Sequence, residues 1–367
     1  MSPLTATAPR AADLASARHH DEAAFERLIE PHRRELLAHA YRMLGSAPDA
    51  EDALQETLLR AWRGLPRFEG RSSFRSWLYS IATNVCLRAI ERRPRRVLPV
   101  DYGPASDPHD ALRPPPVESV WIDPFADDAL GADDALLSPE ARYEQRESVE
   151  LAFVAALQHL PARQRAVLLL RDVLGFAPAE IAAALEATPA SVYSALQRAR
   201  AAVHERLPAR SQQATLRAIG DARLGALVGR YVRAWEERDI DAIVAMLAAD
   251  ATFSMPPMPE WYRGRAAIRG FLAARPLAAE SEPCGADDWI FVPARANGQL
   301  AFGVYGRGAG AGGDGYRAHV LQVLSLDDRA QITDVIAFQE PAAFARFGLA
   351  PVATRPPRGP HAPADRR

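Results

Sequence analysis

Hydrophobic positions divide the chain into a helical front, a polar middle, a second helical block and a mixed C-terminal third. Phe25, Leu28, Ile29, Leu36, Ala40 and Leu44 recur at helical spacing and stop at Gly45, so a helix with a bend near Pro31 is expected there. Ser46 to Asp49, SAPD, has the form of a capping box. The helix it opens, DAEDALQETLLRAW, buries Ala50, Ala53, Leu54, Thr57, Leu58 and Ala61 and carries Asp49, Glu51, Asp52, Gln55 and Glu56 on its other side. The stretch 68–96, FEGRSSFRSWLYSIATNVCLRAIERRPRR, reads as a third helix. Phe74, Trp77, Leu78, Ile81 and Val85 form its apolar face, and Ser76, Ser80, Asn84, Arg88 and Arg92 step by four along another.

Residues 1–20 show no periodicity and read as a disordered tail. Residues 97–140 hold eight prolines and ten acidic side chains against one arginine, Arg113, which predicts a self-repelling tether with one local anchor at VWIDPF, 120–125. Periodicity returns at SPEA, 138–141, and continues through Val149, Phe153, Val154, Leu157 and Leu160, then Val167, Leu168, Leu170 and Val173. PAEIAAALEATPASVYSALQRARAAVHERL follows: a short helix, a tight turn, and a longer helix whose Val192, Leu196, Ala199 and Val203 point inward. That is helix-turn-helix grammar. Its outer face presents Ser191, Tyr193, Ser194, Gln197, Arg198 and Arg200, side chains suited to phosphates and groove edges.

Composition changes this picture little. With 367 residues, ordinary apolar and charged fractions and a net charge of −2, the chain has room for several cores, and any affinity for nucleic acid must come from local clusters. Arg92, Arg93, Arg95 and Arg96 form the densest such cluster, closed by Pro94 inside the run. Arginines beside exposed aromatics suit phosphates and unstacked bases, although a solvated arginine face has the same pattern. The acidic helix likewise fits either a dock for a basic partner or plain dipole compensation. Cys86 and Cys284 have no metal-ligand spacing, and neither a cofactor nor a metal is expected. The absence of a membrane-length apolar run and of a signal-peptide core leads to the expectation of a cytoplasmic protein that does not engage a membrane.

The acidic helix and the aromatic basic helix, in this order and spacing, resemble region 2 of extracytoplasmic-function (ECF) sigma factors of the sigma-70 family. The helix-turn-helix resembles their region 4. The resemblance implies that Asp49, Glu51, Asp52, Gln55 and Glu56 dock on the β′ coiled coil of core RNA polymerase. It also implies that Arg75, Trp77, Asn84, Arg88 and Arg92, with Arg93 in the same run, hold the −10 promoter element with a base flipped out near Asn84. Region 4 would dock on the β flap and read the −35 element, and the acidic tether would thread the polymerase channel. Departures at Glu186, Tyr193, Ala195 and Gln197 prevent transfer of a promoter sequence.

Beyond residue 208 the pattern shifts from helices (Leu224, Leu227, Val228, Tyr231, Trp235, then 240–247 and 266–272) to strands at 251–255, 289–294, 300–305, 319–326 and 332–338, with a turn at Asn297-Gly298. The expected fold is an α+β cone with a curved antiparallel sheet, and it resembles SnoaL-like domains of the NTF2-like superfamily. Phe253, Met255, Trp261, Tyr262, Trp289 and His319 are its candidate pocket residues, for a small molecule or an intramolecular ligand. His319 and Asp334 are the acid–base candidates, with no catalytic motif between them. The segment 338–351 is expected to pack back on the helical modules, and 349–367 to be a disordered tail. The expected domains are therefore 21–95, a tether 96–138, 139–208 and 220–348. The expected function is that of a sigma factor regulated in cis by its cone; a SnoaL-type enzyme or a ligand-sensing regulator fused to a helix-turn-helix is the alternative.

Overall fold

A computed structural model describes residues 11–116, 120–130, 146–277, 289–307 and 315–354. The chain divides into two compact units. The first comprises Met1–Gly103, Pro115–Thr215 and Ala296–Gln299; the second comprises Pro104–Pro114, Leu216–Arg295 and Leu300–Arg367.

In the first unit, α1 (Ala11–Arg18) is already helical, which corrects the reading of 1–20 as a tail throughout. Among its described side chains only Ala17 is deeply buried, and the helix is held by an Arg27–Asp13 ion pair and by Arg18 donating to the Phe68 carbonyl. An apolar stripe that thin leaves no periodic signal. Helix α2 (Glu22–Leu44) runs unbroken through Pro31 and ends at Gly45, whose φ of 69° places it in the left-handed region. A Cβ there would lie 3.1 Å from the Gln158 side chain and 3.3 Å from Arg96, so close approach requires glycine as well. Helix α3 (Ala47–Gly64) starts on the Ser46 cap, but only half of the expected capping box forms, because the Asp49 carboxylate turns to Arg93 and Arg96; α4 (Phe74–Ile90) starts on the Ser73 cap.

The stretch after α4 carries more structure than a bare tether. It forms the short α5 (Pro99–Tyr102) and a bridge between Val97 and Trp121. Trp121, Ile122 and Phe125 are buried, and Phe125 stacks on Tyr41 with ring centroids 4.3 Å apart, so VWIDPF is the anchor the pattern suggested. The helix start expected at SPEA lies outside the described residues, as does Cys284. Helices α6 (Leu151–Gln158), α7 (Ala162–Leu168), α8 (Pro178–Ala184) and α9 (Pro189–His204) complete the helical unit. Buried Arg165 and Arg42 join its two halves: Arg165 donates to the Met43, Gln158 and Leu160 carbonyls, and Arg42 to the Ser148 carbonyl and hydroxyl. Buried guanidinium groups are tolerated because these oxygens replace water.

After α10 (Gln212–Ile219), the second unit sets α11 (Asp221–Glu236), α12 (Ile240–Ala245) and α13 (Gly264–Ala274) against a seven-stranded sheet. The strands are β1 (Leu247–Ser254), β2 (Trp261–Arg263), β3 (Trp289–Ala296), β4 (Gln299–Gly306), β5 (Gly315–Leu326), β6 (Ile332–Phe338) and β7 (Val352–Thr354). Their order is β2-β1-β6-β5-β4-β3, with β7 on β5. β1 and β6 pair in parallel, Phe253 opposite Val335, so the sheet is not wholly antiparallel; strand direction leaves no mark on a period-two pattern. The core holds Tyr231, Trp235, Phe253, Tyr262, Ile268, Phe271, Phe302 and Ile332.

Two expectations about the end of the chain are corrected. Segment 338–351 packs on its own sheet: Phe344 meets Tyr305 edge-on at 5.2 Å, and Leu349 covers Gly303, where a Cβ would clash at 2.5 Å. Residues 352–354 add a strand where a disordered tail was expected; the pairing of three residues to an open stretch of β5 is too short to show in the sequence.

Candidate nucleic-acid interface

On α3 the acidic side chains separate into two groups. Asp49 is only 11% exposed and is clamped by Arg93 and by Arg96 at 2.8 Å. Glu51, Asp52 and Gln55 are exposed, and Glu56 pairs with Arg60 one turn on, at 2.6 Å. Leu59, 42% exposed, lies on the same side and was not singled out by the sequence; an apolar side chain left uncovered on an otherwise amphipathic helix is its signal. Acidic groups around one apolar residue give this face the charge and surface that would complement a basic, partly apolar partner.

The buried face of α4 is turned from the one expected: Phe74, Leu78, Tyr79, Ala82, Thr83, Val85 and Cys86 are buried, whereas Trp77 and Ile81 are half-buried. Both line a cavity of about 370 Å³ with Arg60, Gly64, Arg67, Ser80 and Asn84. Trp77 packs against Phe68 (4.9 Å) and Phe74 (5.7 Å), and its ring lies over Gly64, where a Cβ would come within 3.2 Å. The cavity therefore has an aromatic wall, two guanidinium groups and a carboxamide. A planar heterocycle with an attached phosphate finds stacking, hydrogen bonding and charge there together. Arg60, Arg67 and Gly64 were missed because they precede the stretch that carries the pattern.

Not every arginine of the basic run is free to meet a partner. Arg88 and Arg92 are exposed; Arg93 pairs with Asp49, Arg95 bonds His159, and Arg96 is buried on the Trp121 carbonyl. Arg75 is also enclosed: it pairs with Glu35 at 3.4 Å, donates to the Leu174 carbonyl and lies over the Tyr79 and Phe176 rings. Ser76 donates to Glu180 of α8 at 2.7 Å, and Asn84 donates to the Ser80 and Ala184 carbonyls. The polar face of α4 is thus partly covered by α8.

In the helix-turn-helix, Val192, Leu196, Ala199 and Val203 are buried as the spacing predicts, and Ser191, Tyr193, Ser194, Gln197, Arg198 and Arg200 are exposed. Ser191 shares the capping box with Thr188, and Arg200 forms a two-pronged pair with Asp172 at 2.6 and 2.9 Å. Tyr193, Ser194, Gln197 and Arg198 make no side-chain bond among the described residues. Glu186 takes φ of 49° in the turn, a conformation that suits glycine.

In the second unit, Phe253, Met255, Trp261, Tyr262 and Trp289 are all buried, with Tyr262 stacked on Phe271 at 4.5 Å. His319 packs beside Trp289 at 5.1 Å, and burial lowers its pKa. Asp334 accepts from Thr252 at 2.5 Å, and burial raises its pKa. The two acid–base candidates are thus held by different neighbours. Among the described residues no group of His, Cys, Asp and Glu has the arrangement of a metal site, and no helix is long and apolar enough to cross a membrane.

Comparison with known proteins agrees with this layout. Family models match as Sigma-70 region 2 over residues 28–96, Sigma-70 region 4 over 150–203 and SnoaL-like domain over 228–335. The chain is 43% identical over 329 residues to the ECF RNA polymerase sigma factor SigG of Mycobacterium tuberculosis, covering 89% of this chain and 84% of the relative. It is 31% identical over 192 residues to the RNA polymerase sigma-H factor of Pseudomonas aeruginosa, covering 51% and 88%. Among solved structures, the ECF sigma factor SigJ of M. tuberculosis aligns with a TM-score of 0.52 at 23% identity, over 87% of this chain and 97% of that one, and so shares its fold. With both sigma regions in order, a SnoaL-like domain behind them and a relative similar over most of its length, the chain belongs to the ECF RNA polymerase sigma factors.

Proposed function

We propose that the chain brings core RNA polymerase to promoters through two separate faces. The exposed part of α3 (Glu51, Asp52, Gln55, Glu56 and Leu59) docks on the polymerase. The α4 cavity takes an unpaired base of the −10 element, with Trp77 as stacking wall, Asn84 reading the base edge and Arg60, Arg67, Arg88 and Arg92 meeting phosphates. Tyr193, Ser194, Gln197 and Arg198 present the major-groove face of α9 to the −35 element. Asp49, Arg75 and Arg96 act as internal clamps in the present arrangement. The observation that carries this reading is the Trp77–Asn84 cavity bounded by guanidinium groups on a region 2 helix. Action on the transcription machinery supports a cytoplasmic location, and the separate engagement of His319 and Asp334 favours a non-catalytic cone.

The cone regulates in cis in this reading. Its β3–β4 turn, Ala296–Gln299, is part of the first unit: Asn297 is fully buried, donates to Tyr41 Oη (2.8 Å) and the Val149 carbonyl (2.7 Å), and accepts from Phe125 N (2.9 Å). Run-off transcription with purified core polymerase and genomic fragments tests both parts. Promoter-specific transcripts dependent on the chain are expected, with a yield changed severalfold by Asn297→Ala; no transcripts overturns the first part, and an unchanged yield overturns the second.

A further inference from the structure

A second cavity, of about 470 Å³, opens in the SnoaL-like unit between α11, α12 and the β5–β6 turn, away from the buried aromatic cluster named above. Its floor is apolar, made by Leu227, Ala234, Met246 and Ala330, and its rim carries Arg230, Arg233 and Arg329 against a single carboxylate, Glu237. Among the described residues no acidic side chain pairs with any of the three arginines. Three unpaired guanidinium groups around one cleft repel each other, an arrangement that an anion in the cleft would stabilise.

The arginines are also held in place. Arg230 and Arg233 stand one turn apart on α11. Arg329 sits in a built turn: Asp327 accepts from the Arg329 and Gln331 amides at 2.9 and 2.7 Å, Ala330 takes φ of 62°, and Arg223 donates to the Arg329 carbonyl at 2.5 Å. The volume falls within the ~300–1,000 Å³ of small-molecule sites, and an apolar floor with a few polar groups at the mouth is their usual lining.

We infer that this cleft binds a small amphipathic monoanion, a carboxylate or sulfonate on an aromatic or aliphatic body, with the body on Leu227, Met246 and Ala330 and the head group between the guanidinium groups. Glu237 lowers the net charge of the rim and disfavours a compact dianion. The site is independent of the promoter-reading face.

Calorimetric titration of the full chain with naphthalene-1-sulfonate tests the assignment, with the neutral 1-naphthalenemethanol as control. Single-site binding of the sulfonate is expected, with the alcohol bound at least ~10-fold more weakly. The double variant Arg230→Ala/Arg233→Ala, and separately Ala245→Trp, which blocks the exposed rim while keeping every arginine, should each weaken sulfonate binding by ~10-fold or more. Unchanged binding in both variants, or equal binding of the alcohol, overturns the site. Displacement of the sulfonate by equimolar inorganic phosphate overturns the amphipathic specificity, and displacement by a short DNA duplex makes the surface a backbone contact and overturns the small-molecule assignment.

Discussion

His39 lies wholly buried, 3.0 Å from Thr83 Oγ1, and its Nδ1 has no partner among the described residues. Burial, reinforced by the Arg42 and Arg75 charges, lowers its pKa to about 3 from an ordinary 6.5. Between those values the unfolded chain binds a proton that the native one does not, so this residue makes stability fall as pH drops from 6.5 towards 3. Glu150 works in the opposite direction: burial raises its pKa to about 7, so its contribution is full below 4.5 and lost as pH rises towards 7. The two oppose each other between 4.5 and 6.5, and only the histidine acts below. His39→Leu should therefore flatten the acid limb of the melting temperature against pH, most visibly below 4.5; an unchanged slope would show that the imidazole is not buried neutral. Asp49 and Arg96 teach a related lesson. Their residue types promised binding, but each is spent on the other, and no spacing rule shows which members of an acidic and a basic run will pair.

At the level of elements, the existence of α2, α3, α4 and the helix-turn-helix was legible because each combines a cap, a stripe and a stop: Ser46 and Gly45, Ser73, Thr188 with the buried Val192, Leu196 and Ala199. The rotation of α4 was not. Trp77 and Ile81 fit the apolar stripe, but the neighbours that fill the core side, Tyr79, Ala82 and Cys86, are small or amphipathic and score weakly in a hydrophobic pattern. What covers the other side was equally hidden, since Glu180 is 104 residues from Ser76. The contact has a consequence for function. If promoter DNA needs the α4 face, α8 must leave it, and the Ser76–Glu180 bond opposes that step by ~0.5–1 kcal/mol, the modest worth of a solvent-exposed hydrogen bond. Glu180→Ala should thus raise affinity for a −10 single strand several-fold in the free protein, measured by fluorescence anisotropy, although loss of the Glu180 contact to the Ala177 amide also loosens the start of α8. Equal affinity would mean the cover does not restrict access.

Over the whole molecule, the order of modules could be read from where helical, proline-rich and alternating patterns give way to one another, and the family models match in that order. The assignment of short segments to units could not. Asn297-Gly298 looks like an ordinary hairpin turn, yet its side chain satisfies a tyrosine, a carbonyl and an amide of the helical unit; Pro104–Pro114 looks like tether, yet it belongs with the cone, where Ser106 donates to the Trp261 carbonyl and Arg113 pairs with buried Glu260. Both depend on single polar side chains meeting partners far away in sequence, which carry no periodic signature. As proposed, polymerase docking and strand capture use different faces of region 2. The most direct test measures core-polymerase affinity and permanganate reactivity of promoter thymines side by side for Trp77→Ala, Asn84→Ala and the pair Asp52→Lys/Glu56→Lys. The first two should lose reactivity ~10-fold or more, from the loss of base stacking and base contact, while holding polymerase as the parent chain does; the charge reversals should lose polymerase itself. Loss of polymerase binding in Trp77→Ala and Asn84→Ala, with promoter opening intact in whatever complex remains, would reverse the assignment of the two faces.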